Sequence, residues 1–173
     1  MKQTLSLLLL SLSLMANPTV GSKLPHIILD GSDGSYVQGG AWDSSMLDGK
    51  TTMLMYVDPD EKSKGEIFKP NIEAFERDLD FSKFQIVVIL NLSATWKPNA
   101  LIEKLLENKM TDYPKRIYVM DKNSVLVKKW NMVDDEYNTL VLDSQTKVLF
   151  SHSGKWNKND MKNIDKIIRD NIN

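Results

Sequence analysis

The sequence predicts an α/β domain with a mixed central sheet, helices on both faces and an N-terminal β-hairpin. Three observations support this prediction. Residues 84–92 contain a continuous β-branched run that is typical of a central strand buried on both faces. Three segments carry apolar residues at helical spacing, and short strand-like runs alternate with them. Helices packed on both faces of a mixed sheet would bury such a strand.

The first half of the domain supplies the hairpin, a strand and a helix. Residues 26–37 alternate around the turn-forming residues 30–34, which predicts the hairpin. Residues 51–57 form an apolar strand that ends at Asp58-Pro59. One face of a helix is indicated by Phe68, Ile72, Phe75 and Leu79. Pro70 lies inside that pattern and should kink the helix or mark a new start, because proline lacks an N–H donor.

The second half adds two helices and four strands. Pro98-Asn99 opens a helix, and Asn157 is suited to cap the last one. Their apolar faces are Leu101, Ile102, Leu105 and Leu106 in the first, and Met161, Ile164, Ile168 and Ile172 in the last. Short strands are predicted at 116–120, 125–130, 139–142 and 147–151.

The N-terminal residues predict export. Lys2 precedes an apolar run over residues 5–15 that ends at Ala16, a pattern typical of a secretory signal peptide. The run is shorter than the roughly 20 residues needed to span a bilayer. We therefore expect residues 1–16 to be a signal peptide and residues 17–173 to form one domain in the periplasm. An uncleaved amphipathic or anchoring tail is the alternative.

Composition excludes several classes of function. The chain is 42% hydrophobic and 26% charged with a net charge of −1, as is usual for a globular protein. A near-neutral chain without a basic stripe is poorly suited to nucleic acid, so no such partner is expected, nor any membrane contact beyond the signal peptide. The chain has no cysteine, which excludes disulfides and thiolate metal sites. No cofactor and no metal site are expected.

Three short motifs resemble the thioredoxin superfamily. Residues 42–50 are similar to its loop that ends in Gly-Lys before the first central strand, and residues 121–125 to its Asp-x-x-Gly turn, with Ser124 in the glycine position. Leu142-Asp143, Lys147-Val148 and Gly154 are similar to its closing hairpin. Within the superfamily, Trp42 to Lys50, Lys128 to Trp130 and Leu140 to Asp143 are similar to the YtfJ family of exported proteins from Gram-negative bacteria. This resemblance implies a thioredoxin-like fold.

The sequence departs from active thioredoxins at the redox site. Lys62-Ser63-Lys64-Gly65 occupies the place where the resemblance puts the Cys-x-x-Cys pair. A thiol at a helix N-terminus acquires a lowered pKa and becomes nucleophilic, which these side chains cannot reproduce. The proline that active members carry before a later strand is replaced by Tyr137 or Asn138. Thiol–disulfide exchange and thiol peroxidase activity are therefore excluded.

The resemblance implies that residues around this degenerate redox site share one surface. The predicted binding surface is Asp58, Asp60, Glu61, Lys62, Lys64, Trp96, Tyr137 and Asn138. The acidic run 134–136 should lie beside it, and Trp96 should be the most exposed of the four tryptophans. The lysines near a helix start are suited to an anion, although nearby acidic residues that simply cap the helix are the alternative.

Three functions remain open from the sequence. The first is a non-catalytic exported protein that binds an unidentified periplasmic protein or peptide at this surface. The second is a small-molecule or divalent-cation binding protein, since Asp58, Asp60 and Glu61 offer hard oxygen ligands. The third is an enzyme with non-redox chemistry. His26 and His152 lie in strand-like runs without a nucleophile motif, so hydrogen-bonded structural roles are expected for both.

Overall fold

The computed structural model of the protein describes residues 18–172. These residues form a six-stranded mixed sheet, a two-stranded ribbon and four α-helices. The strands are β1 (Ile28–Leu29), β2 (Gly34–Tyr36), β3 (Trp42–Asp43), β4 (Thr51–Val57), β5 (Phe84–Asn91), β6 (Arg116–Asp121), β7 (Tyr137–Leu142) and β8 (Val148–Ser153). The helices are α1 (Lys69–Asp78), α2 (Asn99–Asp112), α3 (Val125–Trp130) and α4 (Lys158–Asn171). The signal peptide predicted at residues 1–16 lies outside the described residues.

The main sheet has the strand order β2-β6-β5-β4-β7-β8. β4, β5 and β6 run parallel to one another, whereas β2, β7 and β8 run antiparallel to their neighbours. All seven residues of β4 are buried, and β5 lies between β4 and β6, as its β-branched run predicts. The carboxyl ends of β4, β5 and β6 meet the amino end of β7 at one edge, which we call the carboxyl edge.

Helices cover both faces of the sheet, which confirms the predicted fold class. On one face, Phe75 of α1 and Ile164 of α4 pack in one core cluster, and Ile102 of α2 packs in the adjoining one. On the other face, α3 packs with the β1–β3 ribbon. There, the rings of Trp42 and Trp130 meet edge to face with centroids 6.0 Å apart.

The N-terminal antiparallel pairing has different partners from those predicted. The turn at residues 30–34 is formed, because the Asp33 N–H donates to the Asp30 carbonyl at 3.0 Å. The two flanking strands do not pair with each other, however: β1 pairs with β3, and β2 pairs with β6 in the main sheet. A Cβ at Gly34 would lie 2.1 Å from the Met120 carbonyl oxygen, so the close approach of β2 to β6 requires glycine. Residues 26–37 are therefore not a hairpin.

The strand predicted at residues 125–130 is wrong, because these residues form α3. Ser124 adopts a left-handed conformation, with φ of 49°, and turns the chain out of β6. The Asp121 carboxylate then accepts the free backbone N–H groups of Val125 and Leu126, at 2.8 and 2.9 Å. This capping of the first turn outweighs the weak strand preference of the valines in the segment.

Three predicted helix starts are confirmed. α2 begins at Asn99, directly after Pro98. α1 begins at Lys69 with Pro70 in its first turn, directly after a 3-10 helix at Lys62–Phe68, so Pro70 marks a new start. Asn157 caps α4 in a capping box, in which its own N–H donates to the Asp160 carboxylate at 3.0 Å. Within residues 18–172, no helix combines the length and apolar character needed to cross a bilayer.

Candidate functional site

The candidate site lies at the carboxyl edge, where β4 and β5 end and β7 begins. We call residues 58–65, 95–97 and 134–136 the loop surface. Asp58 follows β4 directly, and its backbone N–H donates to the Glu136 carbonyl at 3.1 Å. Its carboxylate accepts the Asp60 N–H at 2.8 Å, which bends the chain towards the 3-10 helix. Side chains carried by three separate loops therefore share one end of the sheet.

An ion-pair network joins the first and third segments of the loop surface. The Lys64 ammonium lies 2.8 Å from the Glu61 carboxylate and 2.7 Å from that of Glu136. Hydrogen bonds to Glu136 and then Glu61 raise the pKa of Lys64, so its charge is retained. The acidic run 134–136 therefore lies beside the degenerate redox loop, as predicted. Glu136 of this run also neutralises Lys64, the second lysine of that loop.

Lys62 to Gly65, which replace the redox pair, lie in a 3-10 helix of seven residues rather than at the start of an α-helix. The α-helix itself begins only at Lys69. The dipole of so short a helix is small, because few peptide units are aligned. Lys62 is exposed, and Lys64 is held by carboxylates, so the anion site considered from the sequence gains no support here.

Trp96 projects from the middle segment of the loop surface. Its side chain is 86% exposed, whereas Trp42, Trp130 and Trp156 are buried, which confirms the prediction that Trp96 is the exposed tryptophan. The Asp60 carboxylate holds both neighbours of Trp96: it accepts the Thr95 hydroxyl at 2.8 Å and pairs with the Lys97 ammonium. A large aromatic ring is thus presented to solvent from a loop whose flanking residues are fixed.

Tyr137 lies beneath the loop surface rather than on it. The Tyr137 ring fills the space beside Gly65, where a Cβ would lie 2.3 Å from the ring carbon Cζ. Its hydroxyl donates to the Met55 sulfur at 3.0 Å, and burial raises the pKa of Tyr137 to about 12. The Tyr137 carbonyl accepts the Gly154 N–H at 3.0 Å, so this backbone position is already paired.

Asn138 is also buried, and it ties the sheet to the preceding loop. Its amide nitrogen donates to the Tyr56 and Val133 carbonyls at 3.2 and 2.9 Å. Its amide oxygen accepts the Ser153 hydroxyl at 2.6 Å. The structure therefore gathers all eight predicted surface residues at one edge, but it buries three of them: Asp58, Tyr137 and Asn138.

Asp58 is the member of the site whose ionisation is disfavoured by its surroundings. Its side chain is buried, with 4% of the residue exposed. Burial raises the pKa of Asp58 to about 6, and the negative charges of Asp135 and Glu61 add to this effect. Lys97 opposes the shift but does not cancel it. The loop surface therefore carries an excess of negative charge around a carboxyl group that titrates near neutrality.

Sequence reasoning missed one residue at this edge. Asn91 ends β5, where its amide nitrogen donates to Asp134 at 2.7 Å and its amide oxygen accepts the Ser124 hydroxyl at 2.9 Å. It joins the acidic run to the turn before α3, which fixes the position of that run. The available signal was a buried polar residue at the end of a β-branched run, directly where a parallel strand leaves the sheet.

Histidines and acidic groups do not assemble a metal centre within residues 18–172, where no group of three or more potential ligands comes together. The His26 ring bonds the Asp43 carboxylate at 2.7 Å, in agreement with the hydrogen-bonded role expected for it. The Ser45 backbone N–H, followed by Ser45 and His26 side-chain contacts, lowers the pKa of Asp43 to about 2.

An open pocket of about 610 Å³ lies at the opposite end of the sheet from the carboxyl edge. Its lining includes Lys23, Asp48 and Gln145.

Several solved structures are similar to this chain in fold. A thiol peroxidase from Chromobacterium violaceum is 12% identical, with a TM-score of 0.64 over 90% of this chain and 88% of its own. The exposed lipoprotein thioredoxin from Streptococcus pneumoniae is 14% identical, with a TM-score of 0.62 over 84% and 99%. A thiol-disulfide isomerase from Corynebacterium glutamicum is 10% identical, with a TM-score of 0.61 over 84% and 96%. At these identities the similarity establishes the thioredoxin-like fold alone.

A comparison with curated proteins gives no match. The sequence profile of a family described as "Bacterial protein of unknown function (YtfJ_HI0045)" matches residues 20–171, which is nearly all of the described structure. This match agrees with the motifs at Trp42 to Lys50 and Leu140 to Asp143. The chain is a member of the YtfJ family, and it has the thioredoxin-like fold without any cysteine.

Proposed function

We propose that the protein is an exported, non-catalytic binding protein whose loop surface contacts a protein or peptide partner. The observation that carries this proposal is Trp96, a large aromatic side chain that is 86% exposed at the carboxyl edge. Tryptophan is enriched among the residues that dominate binding energy at protein interfaces. A partner that covers the ring would remove its apolar area from water, which would stabilise the complex.

The rigid frame around Trp96 favours recognition of a partner by a preformed surface. Asp60 fixes both Thr95 and Lys97, and Lys64 fixes Glu61 and Glu136. Side chains that are already held in place lose less conformational entropy when a partner binds. The surface is thus suited to a partner with an apolar side chain for Trp96 and polar groups for the surrounding charges.

Contact through side chains is favoured over strand addition at β7. Tyr137 would be the position for backbone pairing with an extended peptide, but its carbonyl already accepts the Gly154 N–H. Because β7 also pairs with β4 and β8, its backbone is engaged on both sides. A partner would therefore approach the loops and not the edge of this strand.

Divalent-cation binding, the alternative from the sequence, receives no specific support. The carboxylates of Asp60 and Glu61 are held by the ammonium groups of Lys97 and Lys64. A cation would have to displace these ammonium groups before it could use the same oxygens. Redox chemistry by thiols is closed to a chain that has no cysteine.

Two exposed apolar residues give a matched test. Trp96→Ala removes the proposed contact, and Ile28→Ala removes an apolar side chain that is 51% exposed on β1, in the β1–β3 ribbon and outside the loop surface. Neither change should affect stability by more than about 0.5 kcal/mol. Each mature protein would be cross-linked in periplasmic extract, and the captured partner would then be measured for affinity with purified components.

We expect the partner to bind wild type and Ile28→Ala equally, and to bind Trp96→Ala about 30-fold more weakly, which is typical of an interface tryptophan. Equal affinity for all three proteins would exclude Trp96 and with it the loop surface as the site. Export is tested separately by cell fractionation and by sequencing the N-terminus of the mature chain. A full-length chain retained in the cytoplasm would contradict the proposed location.

A further inference from the structure

Three buried polar atoms without a protein partner lie together between β7, β8 and the start of α4. They are the Thr139 hydroxyl, His152 Nε2 and the Trp156 indole N–H. Thr139 is completely buried and Trp156 is 2% exposed. Buried polar groups in folded proteins are almost always hydrogen-bonded, so three exceptions at one place require a physical explanation. None of these residues belongs to the loop surface.

The three side chains form one cluster. Thr139 and His152 are directly opposite each other in the β7–β8 ladder, so their side chains project from the same face of the sheet. The rings of His152 and Trp156 have centroids 5.2 Å apart. His152 is therefore a neighbour of both other residues. Its side chain is 21% exposed, and Trp156 packs against it from the connection that leads into α4.

We propose that this cluster binds an internal water molecule. An indole N–H only donates, a hydroxyl donates or accepts, and a neutral imidazole nitrogen does one or the other. A single water, which donates twice and accepts twice, complements these three groups together, and buried waters typically make about three such bonds.

An acidic side chain lies on the far side of the imidazole. Asp160 is 3.9 Å from His152 Nδ1, which is beyond hydrogen-bond distance. His152 Nε2 faces away from this carboxylate and is the ring nitrogen that can bond the water. The Trp156 N–H then donates to the water oxygen, and the Thr139 hydroxyl takes the remaining bond.

Such a water would connect the sheet to the floor of the loop surface. Trp156 stacks on Phe68, with ring centroids 4.3 Å apart and planes within 6°. Phe68 ends the 3-10 helix that carries Lys64 and Gly65. The water joins β7 and β8 to this aromatic stack, so it helps to hold that helix in place. The inference is independent of whether a partner binds the loop surface.

Thr139→Val tests the proposal by the sign of its effect. If a water is bound, the variant removes one of its bonds and lowers the melting temperature by about 2–4 °C. If the hydroxyl has no partner at all, valine removes an unsatisfied polar group, and the melting temperature stays the same or rises. Thr52→Val is the matched control. Thr52 is equally buried, but its hydroxyl accepts from Gln85 at 2.8 Å, so its loss must destabilise the protein.

A direct measurement decides the question even if a variant fails to fold. In the wild-type protein, nuclear magnetic resonance should show magnetisation transfer from a long-lived water to the Trp156 indole proton. Absence of the water contact at Trp156 would overturn the proposal. An unchanged or higher melting temperature for Thr139→Val would also overturn it.

Discussion

Asp121→Asn should destabilise the protein strongly, although it changes only one atom of a fully buried side chain. One carboxylate oxygen accepts the N–H groups of Asn123 and Val125, at 3.2 and 2.8 Å. The other accepts the Tyr56 hydroxyl at 3.1 Å and the Leu126 N–H at 2.9 Å. An asparagine has one oxygen, so its NH₂ group must face at least one backbone donor.

The loss of charge-assisted bonds and the unpaired N–H together predict a cost of about 2–4 kcal/mol in the free energy of unfolding. Urea titration followed by circular dichroism measures this directly. Asp143→Asn is the control, since its oxygen accepts two N–H groups in a more exposed turn and asparagine retains that oxygen. Its cost should be below about 1 kcal/mol. If Asp121→Asn costs no more than this control, the capping account of α3 is refuted.

Three further substitutions test the site and its support. Because the native pKa of Asp58 is about 6 and the unfolded value 3.8, wild type loses up to about 3 kcal/mol of stability as pH rises from 4 to 7. Asp58→Asn should lack this loss of stability. If urea titrations show the same difference in free energy of unfolding between wild type and variant at every pH, the raised pKa of Asp58 is contradicted. Gly65→Ala should lower the free energy of unfolding by about 1–3 kcal/mol, because the new methyl group would overlap the Tyr137 ring. The same substitution should cost less in a protein that already carries Tyr137→Ala. Glu76→Gln should cost about 2 kcal/mol by unpairing the largely buried Arg116, and an unchanged urea midpoint would exclude this role.

Strands and helices with a strong signal in their own sequence were predicted correctly. The β-branched run of β5 and the capped, periodic helix α4 appear where the sequence places them. α3 was mistaken for a strand because its six residues are too few to show a helical period. Its direction is set by Asp121 and by the left-handed Ser124, which lie just before it. The partner of β2 was missed because alternation indicates a strand but not which neighbour it joins.

The candidate site was predictable as a location but not in its contacts. Asp58, Asp60 and Glu61 follow one strand, so their proximity is local. The pairing of Lys64 with Glu136 joins residues that are 72 positions apart, and only the folded sheet brings them together. The same applies to Asn91, whose partners come from two later loops. Burial of Tyr137 depends on the space left by Gly65, which no single segment reveals.

The contact between Gly65 and Tyr137 lies where the resemblance puts the redox groups. The resemblance places Gly65 at the second cysteine, and Tyr137 or Asn138 at the proline, of active thioredoxins. Each residue requires the other, because a side chain at 65 would overlap the ring, and a small residue at 137 would leave a cavity beside Gly65. The two departures are therefore coupled in packing, because the ring of Tyr137 is accommodated only where residue 65 has no side chain. Trp96 remains accessible at this edge, together with the exposed residues Lys62, Asp134 and Asp135.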